Sequence, residues 1–324
     1  MSDQTPLTSI IITTHERPEL LPRAVASAFS AGTNVEVIVV DDASTDETSS
    51  VCRRLSGIDY LRVDSRQGVA GARNIGLLAS RGEYVTFLDD DDLRLPQSIE
   101  RQVRLLSADR QAGLIYGQAT CLDEQGRPAD SYPQNCPQGD LFWNLLEQNF
   151  IPCGSAIFRR SLLPQLGLLD DGAPGVDDWD WWIRIAELFP IIALPEPVIQ
   201  WRRATPSSGQ GSSAGASIVS ASVKQYREYW SKLPRVTAAA DNIRRAAWQR
   251  FSTNMAAHLC WETGRSLAYG KPGLALKNFF GLVSLGPLVC LRLARRYSRD
   301  RLQRLIRKTR TPDTPLGSEV ERMH

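Results

Sequence analysis

Four consecutive aspartates, Asp89 to Asp92, directly follow the segment EYVTFL at residues 83–88. On an extended chain Asp89 and Asp91 point to one side, Asp90 and Asp92 to the other. Carboxylates this close repel one another, and a hard cation with oxygen ligands orders them most easily. Mg²⁺ and Mn²⁺ use few protein carboxylates and complete their shells with phosphate oxygens, so a diphosphate is the natural second partner. A solvated acidic turn is the plainer alternative. The apolar strand in front weighs against it, because strands of a parallel sheet present ligands at their C-terminal ends. A second pair, Asp41-Asp42, ends the run VEVIVV at residues 35–40. A carboxylate there can accept from a nucleobase imide or ribose hydroxyls. A third group, Asp177-Asp178-Trp179-Asp180-Trp181-Trp182-Ile183-Arg184, opens an amphipathic segment. An acid at a helix start is stabilised as an anion, which predicts a lowered pKa.

Elements of matching period position these acids. Residues 9–13, 35–40, 58–63 and 83–88 read as buried strands, and 18–30 and 69–80 as helices. Ser44-Thr45-Asp46-Glu47 has the spacing of a capping box and predicts a helix start there. This strand–helix alternation calls for a parallel sheet with helices on its faces. Beyond Leu95 the pattern predicts a strand at 114–122, a helix at 140–148, an extended segment at 151–159 and a Trp-rich helix at 178–189. Trp182 shares a helix face with Ile185 and Phe189 and reads as core; Trp181 is either core or a sugar platform. Residues 205–216 are rich in Ser and Gly and read as a mobile loop. From Ala216 the chain reads as helical, with breaks at Pro234, Gly270 to Gly273 and Pro287.

Composition bounds the chemistry. The 324 residues carry 38 Lys and Arg against 36 Asp and Glu, a net charge of +2, so bulk binding of nucleic acid is not expected. The six cysteines form no CxxC pair and read as reduced thiols of a cytosolic protein. No basic region precedes an apolar one at the start, so no secretory signal is expected. The apolar run at 279–291 is too short to cross a bilayer as one straight helix. Three histidines do not make a His-rich metal site. The first of only five lysines is Lys224, which removes P-loop and Schiff-base chemistry from the first two-thirds of the chain. A phosphorelay receiver needs a lysine near its acids and is disfavoured for the same reason. Gly68-Val69-Ala70-Gly71 does not have dinucleotide-fold spacing.

The segments IIITTHERPELLPRAVAS, VEVIVVDDASTDET, GVAGARNIGLLASRGEYVTFLDDDD and VDDWDWWIRIAELF stand in the order and spacing of one family. The chain resembles the family 2 glycosyltransferases over about its first two-thirds. The resemblance implies a GT-A fold, a Rossmann-like α/β sheet, mostly parallel and flanked by helices, followed by a C-terminal helical region. It implies a catalytic domain at 1–215, with a nucleotide-sugar half to about 110 and an acceptor half beyond. A helical region at 216–310 and a disordered tail at 311–324 follow. It further implies transfer of a sugar, with inversion, from a nucleotide-diphospho-sugar, a UDP-sugar first, to a hydroxyl of a glycan or lipid-linked acceptor. The setting would be cell-envelope or exported polysaccharide or glycolipid synthesis.

Residue by residue, the resemblance places Thr13, His15 and Arg17 around the nucleotide, with Glu16 close by and His15 where a base-stacking aromatic often stands. Asp42, beside Asp41, would bind the base, and Arg73 the diphosphate, which suits a chain without lysine there. Asp91 would bind Mg²⁺ or Mn²⁺ and Asp90 the ribose, with Asp89 supporting both. Asp178, or second Asp177, would be the base on the acceptor hydroxyl. The family often has a His after the last core strand; here the segment is Trp201-Arg202-Arg203-Ala204-Thr205. Arg202 or Arg203 is then the candidate for the diphosphate.

Residues 292–310 hold nine Lys or Arg and one acid, Asp300. With the apolar 279–291 they could rest on the inner face of a membrane, or form a solvated basic helix. Two other readings use the same acids: a non-catalytic nucleotide-sugar binder or membrane-docked scaffold, and a nucleotidyltransferase.

Overall fold

The computed structural model describes residues 8–123, 126–202 and 215–297. The expected loop at 205–216 (but for 215 and 216), Arg203, the basic stretch from 298 and the tail at 311–324 lie outside them. In chain order the first half holds β1 (Thr8–Thr14), α1 (Leu21–Ser30), β2 (Val35–Asp41), α2 (Thr48–Arg54), β3 (Ile58–Arg62), α3 (Gly68–Ala79), β4 (Tyr84–Asp89), β5 (Leu93–Arg94) and α4 (Ser98–Ala108). Then come β6 (Leu114–Leu122), β7 (Pro128–Tyr132), α5 (Phe142–Glu147), β8 (Ile157–Arg159), α6 (Leu163–Leu166), α7 (Asp177–Leu188) and β9 (Ile191–Arg202). Helices α8 (Gly215–Glu228), α9 (Pro234–Ala238), α10 (Asp241–Ala268) and α11 (Pro272–Ser284) follow.

One sheet runs β3-β2-β1-β4-β8-β6-β9-β5, with β7 added on β6. The strands β3, β2, β1 and β4 are parallel, as the alternation predicts. Beyond β4 the sheet is mixed: β8 is antiparallel to both β4 and β6, while β6 and β9 are parallel. Both faces are covered, so side chains of a single strand divide between two cores. Ile10 and Ile12 pack with α1 and α4, and Ile11 packs on the face shared with α3 and α7. Trp179, Trp230, Tyr226 and Phe251 stack at ring distances of 4.7–6.2 Å and fuse α7, α8 and α10 into the second core. Trp181 and Trp182 are both fully buried, so core is their role in this structure.

Several expected boundaries shift. The capping box does not cap: α2 starts at Thr48, and Ser44 Oγ instead accepts from the Glu16 amide. Asp46 takes the Thr48 amide, and Asp41 takes that of Ser44, so carboxylates outcompete the box for the local N–H groups. The extended segment at 151–159 contains a 3₁₀ turn at Cys153–Ser155, and only Ile157–Arg159 pairs as a strand.

Candidate active site

The site is built on the C-terminal ends of β1, β2 and β4. In register, Thr14 lies opposite Asp41 and Thr13 opposite Asp89, so the two acidic segments flank β1, roughly 10 Å apart across one strand. The Thr14 hydroxyl donates to Asp90 Oδ2 at 2.7 Å, and Thr13, the residue expected at the nucleotide, is half-buried beside it.

The run Asp89–Asp92 is not extended. The Asp92 amide donates to the Asp89 carbonyl at 3.0 Å, closing a tight turn. Asp92 therefore swings back, and one oxygen from each of Asp89, Asp91 and Asp92 lies within 4.8 Å of the others. Asp92, which the alternation argument set on the far side, is thus a third candidate ligand. Its signal was the turn, which no hydrophobic pattern marks. Burial, then the charges of Asp89 and Asp91, push its carboxyl well above the usual range. All three donors are hard oxygens, as Mg²⁺ and Mn²⁺ prefer, and the Arg202 amide fixes Asp92 by donating to Oδ1 at 2.9 Å. Asp90 faces away from this group. It is buried, it accepts from Thr14 and from Arg17 Nη1, and burial lifts its carboxyl to about 6 against the pull of Arg17. Each Asp90 oxygen accepts one of these bonds, so Asp90 holds β1 to the turn. Arg17 Nη1 also reaches Asp91 Oδ2 at 3.1 Å.

Asp42 is likewise held within the fold. Its oxygens accept the amides of Gln67 (2.6 Å) and Gly68 (2.9 Å), so it anchors the start of α3, where the helix dipole favours an anion. Asp41 is wholly buried and accepts from the Ser44 amide and the Tyr60 hydroxyl. Each oxygen of both acids accepts a hydrogen bond from within the fold. His15 Nδ1 lies 2.8 Å from the Asp42 carbonyl and Nε2 2.8 Å from Arg66 Nη1. That pattern selects the neutral tautomer with the proton on Nδ1. Arg66 and Tyr60 are contacts that the motif reading did not single out.

Arg73 joins two of the acidic segments. Its Nη1 donates to Asp177 Oδ2 at 2.8 Å and its Nη2 to Asp89 Oδ1 at 2.7 Å, with the guanidinium 5.3 Å over the Phe87 ring. It is buried, with Nη1 and Nη2 held by carboxylates and Nε without a hydrogen-bond partner among the described residues, so it clamps the acidic turn to α7. Gly76, one turn on, lets α3 lie against β1: a Cβ there would come within 2.3 Å of Ile11 Cγ2.

The clamp separates the two acids that open α7. Asp177 is buried and paired; Asp178 is half-buried, with Oδ1 accepting the Trp179 amide at 2.6 Å. Burial and the adjacent Asp177 raise Asp178 to about 7. The lowering expected at a helix start is reversed, because desolvation and a like charge outweigh the dipole. Asp180 faces the other way and accepts from Arg184, Gln225 and Trp230, tying α7 to α8. The Cys153 thiol lies in the field of Arg73, Asp178, Asp89 and Asp177, and burial pushes it well up, which keeps it neutral. The acidic turn, Arg73, Asp177 and Asp178 thus form one cluster, while Asp42 belongs to the neighbouring α3 anchor.

Residues 9–167 match the profile of the family described as Glycosyl transferase family 2. This part of the chain belongs to that family. An uncharacterized glycosyltransferase of Rickettsia felis is 30% identical over 197 residues, 57% of this chain and 32% of that relative. The chain thus spans about a third of that relative's length. The Escherichia coli protein named UDP-Glc:alpha-D-GlcNAc-diphosphoundecaprenol beta-1,3-glucosyltransferase WfaP is 34% identical over 107 residues, 32% of this chain and 43% of its own. Among solved structures, the mannosyltransferase PcManGT of Pyrobaculum calidifontis, in complex with GDP-Man and Mn²⁺, aligns with a TM-score of 0.55 at 21% identity. The alignment covers 87% of this chain and 88% of that one, and establishes the GT-A fold. Asp177 and Asp178 lie beyond the family-matched residues.

Proposed function

We propose that this chain transfers a sugar from a nucleotide-diphospho-sugar to a hydroxyl of a glycan or lipid-linked acceptor, with inversion at the anomeric carbon. The carrying observation is the continuous Asp89–Arg73–Asp177 bridge, which fixes a three-carboxylate turn at a set distance from the half-buried Asp178. Asp89, Asp91 and Asp92 would hold Mg²⁺ or Mn²⁺. Such a cation supplies charge neutralisation for a departing diphosphate. Asp178 accepts the acceptor's proton as its oxygen forms the new bond to the anomeric carbon and the bond to the nucleoside diphosphate breaks. Asp177 and Arg73 keep Asp178 in place, and His15, Arg17 and Arg66 border the nucleotide side. The names of the E. coli relative and of the Pyrobaculum neighbour favour a UDP- or GDP-sugar, UDP first, and the former a lipid-linked acceptor; envelope glycan synthesis at the cytoplasmic face belongs to the proposal.

The test is a panel of UDP-, GDP- and TDP-sugars with Mn²⁺, Mg²⁺ or chelator, read by release of nucleoside diphosphate. The anomer of the product is then assigned by NMR. Metal-dependent release with an inverted product is expected. Pyrophosphate in place of nucleoside diphosphate would convert the reading to a nucleotidyltransferase; tight donor binding without turnover on any acceptor would make the chain a binder or scaffold.

A further inference from the structure

The last described helices turn apolar faces outward. On α11, Leu276, Phe279, Phe280 and Val283 fall at i, i+3, i+4 and i+7, one face, and Phe280 is 62% exposed. The opposite face is used by protein: Ala275 and Asn278 are buried, and Leu282 and Leu285 pack on the core. After a bend of 104° the helix Pro287–Tyr297 repeats the arrangement. Leu288 (71% exposed) and Leu291 face out, while Val289 and Leu293 are buried with Ala256. Each helix is held by its inner side, so this exposure is not that of a frayed end. A water-facing helix surface carries the reverse pattern.

The charge around this surface is one-sided. Among the described residues, 263–297 hold six Lys or Arg and no acid, one of them, Arg265, paired with Glu262. Arg295 and Arg296 are exposed at the end of the second helix. A second copy of the chain would bring like charges face to face, which argues against self-association through this patch. An anionic bilayer satisfies both features, since the apolar face sinks ~5–10 Å into the headgroup–acyl boundary and arginines meet lipid phosphates. No single described helix is long and apolar enough to cross a membrane, and the sharp bend suits a pair lying in the interface plane.

We propose that α11 and the helix Pro287–Tyr297 form a docking surface for the headgroup boundary of an anionic lipid bilayer. The test uses flotation of the full chain with vesicles of phosphatidylcholine alone or with added phosphatidylglycerol. The chain is expected to float with the anionic vesicles and to stay largely behind with the neutral ones. Phe280→Asp with Leu288→Asp should lower the bound fraction by more than about tenfold, since each exposed side chain loses ~1.5 kcal/mol or more of burial. Its far-UV circular dichroism and melting should be unchanged, because both side chains point away from the core. Arg295→Gln should lower binding to anionic vesicles about fivefold, ~1 kcal/mol per basic residue near the surface. The proposal is overturned by absence of flotation, by equal flotation with neutral vesicles, or by wild-type flotation of the double variant. A dimer lost in the double variant, without flotation, would assign the face to a second copy. None of these readouts needs sugar transfer, so this proposal and the transferase reading fail separately.

Discussion

Arg73 Nη1 and Asp177 Oδ2 lie 2.8 Å apart, although the residues are 104 positions apart in the chain, and their pairing locks α3 to the start of α7. Both side chains are nearly solvent-free, which raises the stakes of breaking the pair. Arg73→Met leaves Asp177 as a buried unpaired charge and should cost about 3–5 kcal/mol in urea unfolding. Arg73→Lys keeps the charge, but a single ammonium cannot span Asp89 and Asp177 with the fork's geometry, so it should fall between the two. Adding Asp177→Asn to Arg73→Met should recover part of the loss, and strict additivity would show that the pair does not couple.

Asp178 should set the acid limb of the pH profile. A base acts as its carboxylate, and its carboxyl titrates near 7, so kcat/KM should rise with pH through about 7 and level above it. Arg73 pulls that value down, so Arg73→Met, where it folds, should move the midpoint upward. Asp178→Asn should lose ~10²–10⁴ in rate, with the limb abolished and donor KM little changed. A limb unchanged in Asp178→Asn would assign it to another group.

The first half of this architecture was readable because its signals are local. Apolar β-branched runs buried on both faces predict β1, β2 and β4, and the aspartates that end β2 and β4 put acids at one sheet edge. The rest depends on contacts that no local pattern carries. β9 contains Pro195 and Pro197, which argue against a strand. Its register with β6 jumps from Leu194 to Pro197, so Pro195 and Glu196 bulge out of the ladder and the N–H that Pro195 lacks goes unneeded. Arg94 looks like a surface residue, yet it is buried, donates to Gln102 and Thr86, and is pushed by burial down to about 9. The motifs single out Asp42, Asp90 and Arg73 but do not say what holds them. Their partners, backbone amides and each other, emerge only when α3 and α7 dock.

Ala43 tests the strain stored beside the nucleotide side. Ala43 and Glu16 both have left-handed backbones, with φ of 60° and 53°, and they meet where the Glu16 amide bonds Ser44 Oγ and Thr45 bonds the Glu16 carboxylate. A Cβ in that region costs ~1–2 kcal/mol, partly offset by the greater unfolded-state freedom of glycine. Ala43→Gly should therefore stabilise the chain by about 0.5–1 kcal/mol in thermal or urea unfolding. A destabilised variant would mean that the turn is not left-handed in solution.

On the proposed reading, Asp92 decides whether the turn would hold a cation through two acids or three. Its oxygen sits with those of Asp89 and Asp91 inside 4.8 Å, and without a cation the three repel. Mn²⁺ at a hundred times its Kd should stabilise the wild-type chain by about 2.7 kcal/mol. In Asp92→Asn the amide oxygen can still accept from the Arg202 amide, so the turn persists while one buried charge is removed. That variant should be more stable than wild type in chelator at neutral pH. The sign follows because a carboxyl raised by burial and like charge favours its protonated form, so its deprotonation as pH rises past the ordinary carboxylate range weakens the fold. The same variant should bind Mn²⁺ at least about tenfold more weakly by titration calorimetry, a loss of ~1.4 kcal/mol. If Asp92→Asn bound Mn²⁺ like wild type while Asp91→Asn did not, Asp92 would be a structural acid and the cation would rest on Asp89 and Asp91 alone.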